Sequence, residues 1–258
     1  MSLEQYYEIK GEGEPIVFIH GSFATYKTWD KIVNKLSENN LCILIKLPGH
    51  GSPALGRQAS TEFDLIENVI TSVTKRPFTL IGHSYGGVVC LELAFKKSLA
   101  IKSMILFKPV SVWAIDEQLD PEAYSRIESF VAALFQKYQT QPHKISELVI
   151  NFWSNNTNFS KFPDSIKASM NRLVDQNIEH WNSIHLIDHE EVLRNQCKVP
   201  TQLVIGSVSN PLLFLIADNL NRYLRSTNKI TIEGADHGLV ATHANVCTEA
   251  IEQFMVNN

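Results

Sequence analysis

A chain of 258 residues, 44% hydrophobic and 19% charged, is long enough to close one sizeable α/β core and too apolar for a long disordered tail. Its formal charge of -4, with no basic cluster, gives no footing for nucleic acid, and no run approaches the roughly 20 apolar residues of a membrane span. The polar opening MSLEQYYEIKGEGEP holds no apolar signal segment, so a cytoplasmic setting is expected. Cys42, Cys90, Cys197 and Cys247 lie far apart without CxxC spacing and read as buried free thiols.

In chain order, short apolar runs recur at PIVFIH (15–20), LCILIKL (41–47), FTLIG (78–82), SMILF (103–107), TQLVI (201–205) and KITI (229–232). Runs without polar alternation suit strands buried on both faces, as in a parallel sheet. Helical spacing falls between them, at Trp29, Ile32 and Leu36, at Ile66, Val69, Ile70 and Val73, and at Leu212, Leu215, Ile216 and Leu220. Ala250, Ile251 and Phe254 form a closing stripe. Strand and helix alternating in this way predict a doubly wound α/β fold. Between Phe107 and Thr201 the rhythm breaks. RIESFVAALFQKY, KISELVINFWS, DSIKASMNRLVD and HWNSIHLIDHEEVL all have helical spacing. A helical subdomain over 110–196 is therefore expected, inserted into a core built from 1–109 and 197–258.

The stretch TLIGHSYGGV (79–88) passes from a strand pattern through G-x-S-x-G into the helix pattern VVCLELAF, the context of a nucleophile elbow. A serine lifted clear of the sheet needs a strained backbone, and its neighbours at ±2 must be small for strand and helix to pack closely. Ser84 is the nucleophile candidate. An acyl-transfer serine also needs N–H donors for the developing oxyanion, here the residue after it, Tyr85, and one on the loop after an earlier strand. That loop begins at His20-Gly21, which assigns the second donor to Ser22, with Phe23 as its neighbour. The base is expected late, after the last strand, where His237 stands in IEGADHGLVATH. His243 is second choice, at the start of the last helix. His20, His50 and His83 read as residues shaping turns; His143, His180, His185 and His189 fall in the insertion as surface or pocket groups.

Taken together, HGSFATYKTW, LPGHGSP, GHSYGG, a helical insertion, VPTQLVIGS and GADHG occur in the order that resembles the α/β-hydrolase superfamily, over nearly the whole chain. The resemblance implies an eight-stranded, mostly parallel sheet, a lid inserted after the sixth strand, and a site between sheet and lid. It also implies an Asp or Glu to hold the histidine's tautomer. The sequence departs there. VIGSVSNP carries Ser209 at the acidic position with Asn210 beside it, and the alternative position, in MILFKPVSV, is Lys108. The strand-four phrase likewise reads IKLPGHG, with Lys46. A lysine cannot accept the imidazole N–H, and its charge disfavours an imidazolium. Three readings stand: Asn210 or Ser209 orients His237 through a neutral oxygen, an acid of the insertion such as Asp116 or Glu117 reaches in, or the triad is incomplete. Asp236, next to His237, is expected to point away.

The aromatics Trp113, Phe152, Trp153, Phe159, Phe162 and Trp181 either form the insertion's own core or line an apolar pocket above Ser84. The reading is a monomeric or dimeric serine hydrolase, esterase-like, taking a small, partly apolar ester or related carbonyl compound, with no metal or organic cofactor. The alternative is a low-turnover small-molecule receptor or signalling protein on the same scaffold. Dehalogenase or epoxide hydrolase chemistry needs a carboxylate at the elbow and is disfavoured; C–C bond hydrolysis is compatible with a serine there.

Overall fold

The computed structural model describes residues 2–55, 61–155, 159–184, 197–224 and 227–258. Strands β1 (Tyr7–Lys10), β2 (Glu14–Ile19), β3 (Asn40–Ile45), β4 (Phe78–His83) and β5 (Ile101–Phe107) alternate with helices α1 (Asp30–Leu36), α2 (Glu62–Val73) and α3 (Tyr85–Lys96). Four helices follow without a strand: α4 (Pro121–Thr140), α5 (Ile145–Trp153), α6 (Asp164–Asn171) and α7 (Val174–Ile184). The chain then returns to β6 (Thr201–Gly206), α8 (Pro211–Leu220), β7 (Thr227–Ile232), α9 (Leu239–Thr242) and α10 (Ala244–Val256). The sheet order is β1-β3-β2-β4-β5-β6-β7, and only the β1–β3 pair is antiparallel.

All six apolar runs became strands; five are buried along most of their length, whereas β7, the far edge of the sheet, is buried only at Ile232. Within β2, Val17 and Ile19 face a core shared with α2 and α3, while Ile16 and Phe18 face one shared with α1 and α10. The expectation of eight strands is corrected to seven among the described residues. One strand, the short antiparallel β1, precedes β2 among the described residues, and residues 3–6 coil into a 3-10 turn ahead of it. For the same reason the helical insertion follows the fifth strand, not the sixth. Residues 185–196, with His185, His189 and the expected insertion boundary at Gln196, lie outside the described residues. No described helix is long and apolar enough to cross a membrane.

The insertion holds itself together through rings. Phe130 of α4 stacks on Phe152 at 3.8 Å and meets Trp181 edge-on at 5.3 Å, while Trp153 stacks parallel to Trp181 at 6.4 Å. Trp113 packs elsewhere, against Phe95 and Tyr223 of the sheet domain. Each opposed ring pair adds stabilisation beyond its buried area.

Two glycines set how closely the elbow packs. A Cβ on Gly82 would lie 2.4 Å from the Gly86 carbonyl oxygen, and one on Gly86 would lie 2.3 Å from that of Ile19. The turn from β4 into α3 therefore rests directly on the end of β2. Gly86→Ala should cost at least about 2 kcal/mol, since the obstructing atoms are backbone and cannot swing aside. At this size that lowers the melting temperature by roughly 4–8 °C. Gly238→Ala, where a Cβ meets open space, is the control and should leave the melting temperature near that of the parent.

Candidate active site

Ser84 joins β4 to α3 with φ 56° and ψ -120°, a conformation costly for any residue with a side chain. Both of its backbone polar groups are fixed: its N–H donates to Phe107 of β5 at 2.9 Å, and its carbonyl accepts from Gly87 at 3.0 Å. The turn aims the hydroxyl toward the loop after β7. There the Ser84 Oγ lies 3.1 Å from Nε2 of His237, within hydrogen-bond distance across 153 positions of chain. The neighbouring His83 ties the two segments together, since its Nε2–H donates to the His237 carbonyl at 2.9 Å.

Burial holds the His237 ring well below the usual imidazole range, with His83 and the Lys108 charge adding to the effect. Its Nδ1 is buried and has no hydrogen-bond partner among the described residues. Neither sequence candidate reaches it. The Asn210 amide is used elsewhere: Oδ1 caps α8 by accepting from Leu212 at 3.0 Å, and Nδ2 donates to the Phe152 carbonyl at 2.5 Å. The Ser209 hydroxyl is buried and likewise unpartnered among the described residues. Asp116 accepts from the backbone of Gln118 and Leu119, closing a turn at the start of the insertion. Asp236 accepts from the backbone N–H of His237 at 2.7 Å through Oδ1. His243 is occupied with Thr242, whose Oγ1 lies 2.9 Å from its Nδ1.

Lys108 follows β5 with φ 45° and is fully buried, its ammonium without a hydrogen-bond partner among the described residues. Burial pulls it down to about 7, against the opposing attraction of Asp236. The same charge helps push His83 down to about 4, after burial. A titrating cation thus occupies the strand end where the family resemblance implies an acid.

The loop after β2 presses on the elbow, and a Cβ on Gly21 would sit 3.1 Å from the Ser84 Cβ. His20 and His50 bolt that loop down: Nδ1 of His20 donates to the Gly21 carbonyl at 2.8 Å, and Nε2 of His50 to the Ser22 carbonyl at 2.5 Å. Ser22, Tyr85, Ser84 and His237 all line one cavity of about 420 Å³. Its other walls are mostly apolar, with Val149, Trp153, Phe162 and Trp181 contributed by the insertion, and Asn177, His180 and Asp236 among the polar groups that interrupt them. The aromatics therefore divide between the two sequence readings: Phe152 is core, while Trp153 and Trp181 are both core and lining.

Two residues that sequence reasoning passed over stand beside this loop. His180 of α7, read there only as a surface or pocket group, is buried, with Nδ1 2.6 Å from the Ser22 hydroxyl. Glu62, at the start of α2 behind the Thr61–Asp64 capping box, is also buried, and its Oε2 lies 3.6 Å from Nε2 of His180. No local pattern marks either one. Only a buried carboxylate position in the first turn of an amphipathic helix would have hinted at Glu62. Among the described residues no group of three or more His, Cys, Asp or Glu side chains is placed to hold a metal ion.

Comparison with known proteins agrees with this architecture. Over 270 residues the chain is 23% identical to a pimeloyl-[acyl-carrier protein] methyl ester esterase of Vibrio atlanticus, covering 97% of this chain and 98% of that protein. It is 27% identical over 172 residues to an (E)-2-((N-methylformamido)methylene)succinate hydrolase of Acinetobacter baylyi, and that match spans 63% of this chain and 65% of the relative's length. Among solved structures, an esterase from Exiguobacterium antarcticum superposes with a TM-score of 0.76 at 18% identity, covering 96% of this chain and 94% of that one. MenH from S. aureus gives 0.71 at 18% identity, covering 98% of each. The model of the alpha/beta hydrolase family matches residues 16–249, and the chain belongs to that family.

Proposed function

We propose that the protein is an esterase-like serine hydrolase acting on a small, partly apolar ester or related carbonyl compound. The observation that carries this reading is the Ser84 Oγ–His237 Nε2 contact at 3.1 Å on the wall of an apolar cavity. In the proposed mechanism Ser84 attacks the carbonyl carbon while His237 takes its proton, and His237 then returns that proton to the leaving alcohol. The backbone N–H groups of Ser22 and Tyr85 hold the oxyanion, and water admitted after the alcohol leaves clears the acyl-enzyme. Helices α4–α7 act as the lid that closes the cavity. The mechanism calls on no metal or organic cofactor. The hydrolase and esterase names of the relatives support the reaction class, and a cavity of about 420 Å³ suits a compact acyl group.

The lack of a partner for Nδ1 of His237 among the described residues sets the expected rate. Loss of the triad carboxylate with geometry kept costs about 10⁴ in kcat in a serine protease. Lys108 adds to the handicap while it is charged, because it opposes the imidazolium formed on proton transfer. The same two observations favour the second reading, a receptor that binds a carbonyl metabolite and turns it over slowly. A ligand that raises the melting temperature and is recovered unchanged would select the receptor; multiple turnovers of an ester would exclude it.

Two outcomes are expected. A fluorophosphonate probe should label the protein, and Ser84→Ala should abolish labelling. Because full loss of a serine or histidine costs about 2 × 10⁶ in an intact triad, and about 10⁴ of that is already missing, Ser84→Ala and His237→Ala should each lower ester kcat by about 10²-fold.

Lys108→Met tests the cation. The folded lysine loses its charge near pH 7, whereas an unfolded one keeps it to about 10.4. Its folded pKa is depressed, so the cost of burying the charge is felt in full below pH 7 and fades to nothing by about pH 10. In urea melts, the variant should exceed the parent most below pH 7 and converge with it in alkali. A constant difference across that window would mean that the lysine is not held as described.

A further inference from the structure

The loop that carries the proposed oxyanion N–H also carries a hydroxyl, and that hydroxyl is not idle. Ser22 Oγ lies 2.6 Å from Nδ1 of His180, whose opposite ring nitrogen faces Oε2 of Glu62 at 3.6 Å. The imidazole is 2% exposed and the carboxyl 9%. The ring cannot turn, because the Tyr85 ring stacks on one side at 3.8 Å and the His50 ring on the other at 5.1 Å, both nearly parallel to it. Nε2 of His180 has no hydrogen-bond partner among the described residues, which leaves the carboxyl as the group it faces. The separation is about 0.6 Å longer than a settled N–O hydrogen bond, a gap of the kind that closes when a ligand fills a site.

The proton count fixes the direction of this row. A buried carboxyl without a permanent cation beside it keeps its proton, and burial raises Glu62 to about 8. His180 is held neutral, well below its ordinary range, by burial and by His50 and His20. The groups around the carboxyl do not overturn this. The Tyr85 hydroxyl stands beside it, Glu92 of α3 and Ser183 of α7 act on that tyrosine, and His20 and His50 are both depressed by burial. At neutral pH the Glu62 O–H therefore points at Nε2, the Nδ1–H of His180 donates to Ser22 Oγ, and the serine hydrogen is left to face the cavity that Ser22 lines with Ser84.

We propose that the Ser22 hydroxyl is a side-chain donor to the substrate's carbonyl oxygen as that oxygen gains negative charge, with His180 and Glu62 as positioning residues that hold its hydrogen toward the cavity. The proposal rests on the Ser84–His237 reading for its reaction. No proton leaves the row during turnover; each hydrogen bond keeps its direction while the oxyanion forms and collapses. Ionising Glu62 reverses the row: the carboxylate takes an Nε2–H, Nδ1 becomes an acceptor, and the Ser22 hydrogen turns away from the cavity.

The test compares the parent, Glu62→Gln and Ser22→Ala on p-nitrophenyl acetate from about pH 6 to about pH 10, with the nitrogen resonances of His180 read in parallel. In the parent, kcat/KM should fall about 10-fold or more above pH 8, and His180 should pass from the Nδ1–H to the Nε2–H tautomer over the same range. The Glu62→Gln amide donates to Nε2 at any pH, so that variant should keep its activity and its Nδ1–H tautomer with no alkaline fall. Ser22→Ala should lose about 10²-fold and show no alkaline limb. Titration of Lys108 near 7 acts in the opposite sense and is untouched by these substitutions. An Nε2–H tautomer in the parent at neutral pH, or an alkaline limb that persists in Glu62→Gln, overturns the proposal. If no ester is turned over at all, the hydrolase reading fails instead, and the tautomer switch still decides whether the row is built as described.

Discussion

Everything at the site depends on how closely the β4–α3 turn is pressed against the end of β2. Gly82 and Gly86 remove the two side chains that would hold these backbones apart, and the compression leaves Ser84 in a backbone conformation it would not adopt alone. The neighbouring strand pins it through the Phe107 carbonyl, and the helix pins it through Gly87. With the serine fixed on the sheet and His83 bonded to the His237 carbonyl, the hydroxyl and the imidazole meet without help from a carboxylate. This is how such an arrangement can persist when the partner of Nδ1 is absent from the described residues: position comes from backbone, and the missing group would have supplied charge.

The electrostatics around the pair are unusual in the same direction. Four histidines, a lysine and a glutamic acid are buried around the cavity, and burial drives each toward its neutral form. A site of neutral hydrogen-bonding groups stabilises a developing oxyanion by orientation more than by charge, the regime in which preorganised donors matter most. The apolar walls from α5 and α7 keep the local dielectric low and make each donor count for more.

Much of this was legible in the chain, and the boundary is physical. Five of the six longer strands announced themselves because both faces are buried, so their side chains need not alternate; β7, an edge strand buried only at Ile232, was legible from its β-branched KITI run instead. β1 did not, since YEIK is a short edge strand, largely exposed, and carries no apolar run. The elbow was readable because strain demands glycines at fixed offsets; His237 was readable because the loop after the last strand lies over the elbow in this topology. Lys108 was legible as an oddity of position, but its burial was not, as lysines after strands commonly reach solvent. Asn210 looked suited to orient a histidine and instead caps α8, a role its type fills equally well. Glu62 and His180 lie 118 positions apart and share no motif; only the tertiary fold, which sets His180 of α7 beside the first residue of α2, brings them together.

The central claim is that one hydroxyl forms a covalent link to the acyl group during turnover. Acid-quenched peptide mass spectrometry after brief exposure to an activated ester tests it most directly. The expected result is an acyl mass on the peptide containing Ser84, building within the first turnover and decaying when the ester is removed. Sustained ester cleavage with that peptide unmodified at every time point, or with the acyl group residing on another side chain, would contradict it.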